Sequence, residues 1–181
     1  MNGREPSGRG QADLIVTIPA SLASGAHQAG EESQLVVYLA ARAIDPRGSG
    51  RVPTSAVAAA CERIFSARQF RRLLGSPGGE RYWERDRHLL RLRAAGRIAA
   101  SYPEEVLISR HARRFPLELL NSRPRRGAAL VAAMLACVDT PCSNVFISRF
   151  ASVDRQTVSR WMHDPAIKAN VLERVPESAT R

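Results

Sequence analysis

Apolar residues recur along the first half of the chain at the three- and four-residue spacing of amphipathic helices, in segments separated by turn residues. Residues 35–44 (LVVYLAARAI) predict an apolar helix that ends at Asp45. Residues 53–55 offer the start of a second helix, and Ser66 is suited to cap a third, which Gly75 ends. Three short helices are therefore predicted in this part of the chain.

The pattern changes from helical to alternating over residues 82–93, which favour a strand, a charged turn and a second strand. This predicts a β-hairpin with an arginine-rich tip and edge. Residues 94–102 return to a helical pattern. Three helices, a hairpin and a closing helix are the order of elements in a winged helix, which is the fold predicted for residues 34–102. Trp83 is assigned to the core under the hairpin, in preference to stacking on a base.

The segments before and after this predicted domain have the composition of linkers. Residues 1–33 are rich in Gly, Ser and Ala and predict a flexible N-terminal arm. Within the arm, residues 14–18 form a short β-like run that either packs on the body or joins a partner. Residues 103–126 predict an Arg-rich connector with a short helix of its own after Ser101, and residues 173–181 predict a tail.

The second half of the chain contains another helical group. Residues 127–138 predict an Ala-rich helix, and residues 144–163 (NVFISRFASVDRQTVSRWMH) follow with the spacing of two helices around a tight turn. Ile147 and Val158 are inner positions, and Ala151 is small enough to let the two helices approach closely. On these residues the segment closely resembles the helix-turn-helix motif of DNA-binding regulators.

The segment departs from the family's pattern at one position. The resemblance as a whole indicates the expected fold class. Ser152 stands where the family usually has glycine, because the turn favours a left-handed backbone. A helix-turn-helix domain is implied over residues 127–172. A weaker similarity to the same motif, with one residue added in the turn, involves Val57, Phe65 and Phe70. The fold is therefore expected to be mostly α, with a winged helix-turn-helix unit followed by a second helical helix-turn-helix unit.

The resemblance implies that the second helix of each motif lies in the major groove with its N-terminal end towards the bases. Arginine suits guanine edges, glutamine suits adenine and hydroxyls suit phosphate, while arginines on the hairpin would reach phosphate or the adjacent minor groove. Asp154 is assigned instead to capping its helix. The candidate DNA-binding residues are Arg68, Gln69, Arg71, Arg72, Arg85, Arg87, Arg91, Arg93, Arg155, Gln156, Thr157, Ser159, Arg160 and His163.

The charge of the chain supports a nucleic-acid partner through its distribution. Lys and Arg number 27 against 17 Asp and Glu, a net charge of +10 at pH 7. Residues 1–61 hold five Arg and five acids, whereas residues 62–97 hold ten Arg and four acids, a net charge of +6. Residues 110–126 hold six Arg and one acid, a net charge of +5. A genome's compositional bias does not explain such clustering, but a phosphate-facing surface does.

The sequence carries no signal for several other classes of protein. No apolar run reaches the length of a membrane span, and the N-terminal residues lack the apolar core of a signal peptide, so a cytoplasmic, nucleoid-associated protein is expected. Cys61, Cys137 and Cys142 form no paired-ligand motif, so no metal and no other cofactor is expected. The four histidines are scattered and no nucleophile or phosphate-loop motif occurs. The chain is therefore not expected to be an enzyme.

These observations favour sequence-specific binding of double-stranded DNA by a transcriptional regulator. One alternative keeps the binding but assigns it to the replication-initiation or partition proteins of plasmids and phages, which act at repeated sites. Another is an architectural or adaptor protein that binds nucleic acid without sequence preference. Double-stranded DNA is the expected partner, a homodimer is compatible with the apolar helices, and neither a membrane nor a small-molecule ligand is indicated.

Overall fold

The computed structural model of the chain describes residues 14–45, 47–103, 112–135, 144–150 and 153–165. Most of these residues are helical, and their strands form two small antiparallel sheets. The expectation of a mostly α fold is confirmed at this level.

The described part of the N-terminal segment belongs to the core, in contrast to the flexible arm predicted for residues 1–33. Strand β1 (Ile15–Pro19) leads directly into helix α1 (Ala20–Ala29). The inward side chains of both elements, including Ile18 and Leu22, are fully buried. Of the two alternatives for the β-like run, packing on the body is the one observed. The first thirteen residues lie outside the described part of the chain.

The small residues that suggest mobility in the sequence instead permit close packing. Ala20 and Ala23 of α1 are completely buried. A Cβ added at Gly25 would lie 2.2 Å from the ring of Tyr102, so only glycine allows this approach. Gly30 ends α1 with a left-handed φ of 67°.

The first three predicted helices are confirmed. Helix α2 spans Glu32–Ala43 and is buried at every position from 35 to 41, because it lies at the centre of the core. Helix α3 spans Thr54–Ala60, and helix α4 spans Ala67–Leu74. Ser66 caps α4, as predicted.

The predicted hairpin is confirmed, and a third strand joins it. Strands β3 (Trp83–Asp86) and β4 (Leu89–Leu92) are antiparallel, and β2 (Arg51–Pro53) pairs with the other side of β4. The strand order is β2-β4-β3. Trp83 is buried, in agreement with its assignment to the core. Helix α5 spans only Ala95–Ala99, which is shorter than predicted.

The segment predicted as a connector contains ordered structure. Strand β5 (Ala112–Pro116) pairs antiparallel with β1, nearly a hundred residues away in the sequence, and places Phe115 opposite Val16. A 3₁₀ turn follows at Leu117–Leu120. The short helix predicted after Ser101 falls mainly on residues outside the described ranges.

The second helical group is confirmed where it is described. Helix α6 spans Arg123–Leu135 and begins before the predicted residue 127. Helices α7 (Asn144–Phe150) and α8 (Arg155–His163) form a hairpin whose turn includes Val153. Ala151 and Ser152, the small residue and the departure from the motif, lie outside the described residues, as does the predicted tail.

Candidate nucleic-acid interface

Helix α4 exposes a cluster of arginines on the side opposite the core. Phe70 and Leu74 are buried and so fix the inner face of the helix. Three arginines are exposed on the remaining surface, at positions 68, 71 and 72. Because no acidic residue lies within the helix, this face is strongly cationic.

Gln69 is held in the cap of α4. Its backbone N–H donates to Oγ of Ser66 at 3.3 Å, and its side-chain Oε1 accepts from the N–H of Ser66 at 2.9 Å. This reciprocal pair is a capping box. The side chain is exposed, but its oxygen is committed to the helix start, so it cannot also accept a hydrogen bond freely from a base.

The predicted hairpin arginines are all exposed, but they do not all lie on the same face of the hairpin. The strand register places Arg85 opposite Leu90 and Arg91 opposite Glu84. Residues directly opposite each other in an antiparallel pair share a face, so Arg85 lies on the face of Leu90 and Arg91 on the other. Arg91 also donates to Asp86 at 2.7 Å, which reduces its availability to a ligand. The four hairpin arginines are therefore not one binding surface.

The first residues of β3 and the residue after β4 lie beside the end of α4. Arg87 occupies the tip with a positive φ of 43°, a conformation that non-glycine residues adopt rarely. Arg85 and Arg93 line a cleft together with Gly75 at the end of α4. Glu80 and Glu84 line the same cleft, so the two arginines there are accompanied by two carboxylates.

Arg51 is an exposed arginine that the sequence analysis does not include. It lies in β2 directly opposite Arg91, on the same face of the three-stranded sheet. The three-residue strand that places it there is too short to recognise from alternation alone. Only the pairing with β4, distant in the sequence, brings the two arginines together.

Buried tyrosines attach the hairpin to the helical core. Tyr38 of α2 donates its hydroxyl to the carbonyl of Arg93 at 2.9 Å, and the hydroxyls of Tyr82 and Tyr102 are hydrogen-bonded to each other. Burial raises the pKa of Tyr82, so its hydroxyl stays protonated. The hairpin therefore has a fixed position relative to α2.

The helical hairpin α7–α8 is fixed by buried side chains and by its turn. Ile147 and Val158 are buried between the two helices, as predicted. Oγ of Ser148 donates to the carbonyl of Val153 at 2.6 Å, and the Val153 N–H returns a bond to the Ser148 carbonyl at 3.0 Å. Trp161 is partly buried against the core.

The start of α8 is capped by Asp154, as predicted. The carboxylate accepts from the N–H of Thr157 at 2.9 Å and from its hydroxyl at 2.6 Å. These bonds, the hydroxyl bond first, hold the pKa of Asp154 below its ordinary value. The Thr157 hydroxyl is consequently committed to the cap.

The other candidate residues of α8 differ in their exposure and in whether their side chains already make hydrogen bonds. Arg155, Gln156, Arg160 and His163 are exposed, whereas Ser159 is half-buried. Nδ1 of His163 lies 2.7 Å from the carbonyl of Ser159, so one ring nitrogen is occupied. Within the described residues, the side chains of Arg155 and Gln156 make no hydrogen bond. These two therefore offer unused donors and an acceptor at the first turn of the helix.

Not all of the positive charge near residue 126 faces solvent. Arg126 is only 6% exposed and its guanidinium donates twice to the carbonyl of Leu120, at 3.2 Å from each nitrogen. Burial lowers its pKa. Arg125 is ion-paired with Asp164 at 3.1 Å. The phosphate-facing surface inferred for residues 110–126 is wrong for Arg126, because its charge is used inside the fold.

The described residues give no geometry for metal binding. No group of three or more His, Cys, Asp or Glu side chains suited to a metal ion occurs among them. Cys61 is buried, and burial raises the pKa of its thiol to about 12. Its side chain therefore packs as a small apolar residue does. Cys137 and Cys142 lie outside the described residues.

Among the described residues, none of the helices is both long enough and apolar enough to cross a bilayer. Comparison with protein families, with curated proteins and with solved structures finds no match for the chain.

Proposed function

We propose that this protein binds double-stranded DNA at specific sequences through two helix-turn-helix units and acts as a transcriptional regulator. The first unit runs from α2 to α5 and is a winged helix, and the second comprises α6, α7 and α8. One observation carries the proposal. In both units, the second helix of a helical hairpin buries its apolar face and exposes arginines on the other.

The order and pairing of elements support the winged form of the first unit. A helix, a short strand, two helices and a hairpin follow one another, and β2 pairs beside the hairpin strand β4. With α4 in the major groove, the hairpin would lie along the neighbouring backbone. Arg85, Arg87 and Arg93 would then face phosphates or the adjacent minor groove.

The chemistry of α8 supports base recognition by the second unit. A glutamine amide presents a donor and an acceptor that match the N7 and N6 positions of adenine, and arginine pairs with the O6 and N7 atoms of guanine. Gln156 and Arg155 are exposed at the helix start, the end that points towards the bases in this class of motif. A regulator would use such contacts to occupy one site overlapping a promoter.

The proposal is tested by selecting bound sequences from random duplex DNA with the purified full chain at near-physiological salt. Recovery of a defined motif is expected, and genomic matches to it should lie over promoters. The control is a Gln156→Ala variant, which should bind the same pool but recover a motif degenerate at one or two positions. Binding without any motif would overturn sequence-specific recognition, and tandem repeats of the motif would replace the regulatory role with one at a replication or partition site. Absence of binding to duplex DNA would overturn the proposal entirely.

A further inference from the structure

Helix α6 belongs to the packing of both proposed units. It contacts α1, α2, β1 and β5, and it also contacts α8. A helix buried on nearly all sides is a core helix. Between residues 123 and 134 of α6, the buried side chains are those of Arg126, Ala128, Ala129, Leu130, Val131, Ala133 and Met134.

Arg126 joins α6 to the first unit. Its Nη1 donates to Oγ of Ser33 in α2 at 2.7 Å. Its guanidinium carbon lies 5.0 Å from the centre of the Phe65 ring. Phe65 lies in the turn between α3 and α4, so this one buried side chain touches the first helix of the winged unit and the turn that positions its α4.

The neighbouring residues join α6 to the second unit. A Cβ at Gly127 would lie 3.1 Å from the Trp161 ring, so the indole of α8 rests directly on the α6 backbone. Arg125 adds its ion pair with Asp164, just after α8. Three consecutive residues thus connect α8 to the turn before α4 through described contacts.

We infer that the two units read DNA as one rigid body, and that the chain recognises a composite site with two different sequence blocks at one fixed spacing and orientation. The inference rests on the proposed function and adds the form of the site. Units joined by a flexible linker tolerate many spacings, because the linker adapts its length. Two units that share a core are held at one separation, so they cannot adapt to different spacings. The blocks differ because only the first unit carries a hairpin, so the site is not palindromic.

B-DNA supplies a sharp test of this rigidity. One turn of the duplex takes about 10.5 base pairs, so an insertion of about half a turn between the blocks moves one block to the opposite side of the helix. A rigid protein then contacts one block only. The expected loss of affinity is roughly a hundredfold or more, which is the contribution of a second tethered contact.

The experiment uses the full chain and duplexes built from the selected motif, with one, two or five base pairs added or removed between the blocks. Dissociation constants are compared with those of duplexes in which one block is scrambled. Affinity should fall at every altered spacing to that of the stronger single block. Equal affinity across the series would overturn the rigid composite site while leaving DNA binding intact. A selected motif with one block only would do the same, whereas failure to bind any duplex would remove the proposed function itself.

An Arg126→Met variant sharpens the test, because it keeps an apolar stem on Phe65 but removes the bonds to Ser33 and Leu120. Its circular dichroism and melting curve establish whether it folds. If it folds, the loss of affinity caused by a one-base-pair insertion should be severalfold smaller than for the unaltered chain. If it does not fold, the spacing series on the unaltered chain decides the question by itself. A folded variant with an undiminished penalty would exclude Arg126 as the connection.

Discussion

The helices α4 and α8 begin with equivalent caps but differ in what their caps leave exposed. At α4 the cap uses Ser66 and the side-chain oxygen of Gln69. At α8 it uses Asp154 and the hydroxyl of Thr157. In each helix, a side chain that sequence alone assigns to DNA is used to start the helix. Helix capping therefore competes with recognition for the polar residues of the first turn.

The two helices therefore differ in the side-chain groups that are left to contact a ligand. Without the Gln69 oxygen, α4 presents arginines, which suit phosphates and guanine. With Gln156 unused, α8 presents both a free amide and a free guanidinium at Arg155. We expect α4 with its hairpin to supply most of the affinity and α8 to supply most of the sequence preference.

The largest effect is expected when the arginines at positions 68, 71 and 72 of α4 are changed together to alanine. Binding should weaken by at least about a hundredfold on the selected duplex and by a smaller factor on random duplex, because each charge-assisted bond contributes about 1.5–3 kcal/mol and part of this contribution comes from the first sequence block. The slope of log K against log salt should become shallower by as much as about three, one for each of these arginines that contacts a phosphate. Titrations at several salt concentrations measure both quantities. A loss confined to the specific duplex would reverse the roles given to the two helices.

A smaller and more selective effect is expected for Gln156→Ala in α8. Affinity for the selected site should fall by about 1–3 kcal/mol, while affinity for random duplex and the salt slope stay unchanged. Competition between the selected site and its single-base variants measures the change. In the Gln156→Ala protein, the preference for the selected base should vanish at one base pair. Equal weakening on all duplexes would remove the base-reading role of α8.

The two glutamines form a matched pair for stability. Gln69→Ala removes the side-chain half of the α4 capping box and should lower the free energy of unfolding by about 0.5–1 kcal/mol. Gln156→Ala should leave that free energy within about 0.5 kcal/mol, because the side chain contacts no polar partner in the described structure. Urea denaturation of both variants measures the difference. Equal stability would show that Gln69 is as free as Gln156.

The same contrast shows how far sequence reasoning reaches. Local signals were sufficient for α2, α3, α4, the hairpin and α8, since caps, spacing and alternation lie within a few residues of one another. They could not reveal that β1 pairs with β5, because the partners are far apart in the sequence. Nor could they identify α1, whose glycine, serine and alanine residues are equally compatible with a mobile segment and with close helix packing.

Charge clustering had a related limit at the candidate site. Counting arginines locates cationic segments but cannot separate Arg126, which is buried, from Arg123, which is exposed. Nor does it separate the two faces of the hairpin, since the assignment of Arg85 and Arg91 depends on strand register. The sequence therefore indicates which segments are cationic, whereas the packing decides which of their arginines are exposed and on which face.

The smallest expected effect concerns acid. Asp154 titrates and the Ser66–Gln69 cap does not, so only α8 should lose its cap at low pH. The pKa of Asp154 is lowered from an ordinary value of 3.8, first by the Thr157 hydroxyl and then by its N–H. A carboxyl with a depressed pKa stabilises the folded state above its unfolded pKa and loses that contribution as the pH falls through its folded pKa.

Carbon-detected NMR titration of the Asp154 carboxyl below pH 5 should therefore give a pKa lower than 3.8, with the amide of Thr157 shifting in parallel. The amide of Gln69 in α4 is the internal control and should not follow this titration. A Thr157→Val variant keeps the shape but removes the hydroxyl bond, so the pKa of Asp154 should rise towards its ordinary value. An unchanged pKa in this variant would show that the hydroxyl is not committed to the cap. Thr157 would then return to the residues available for DNA, and the difference between α4 and α8 would widen.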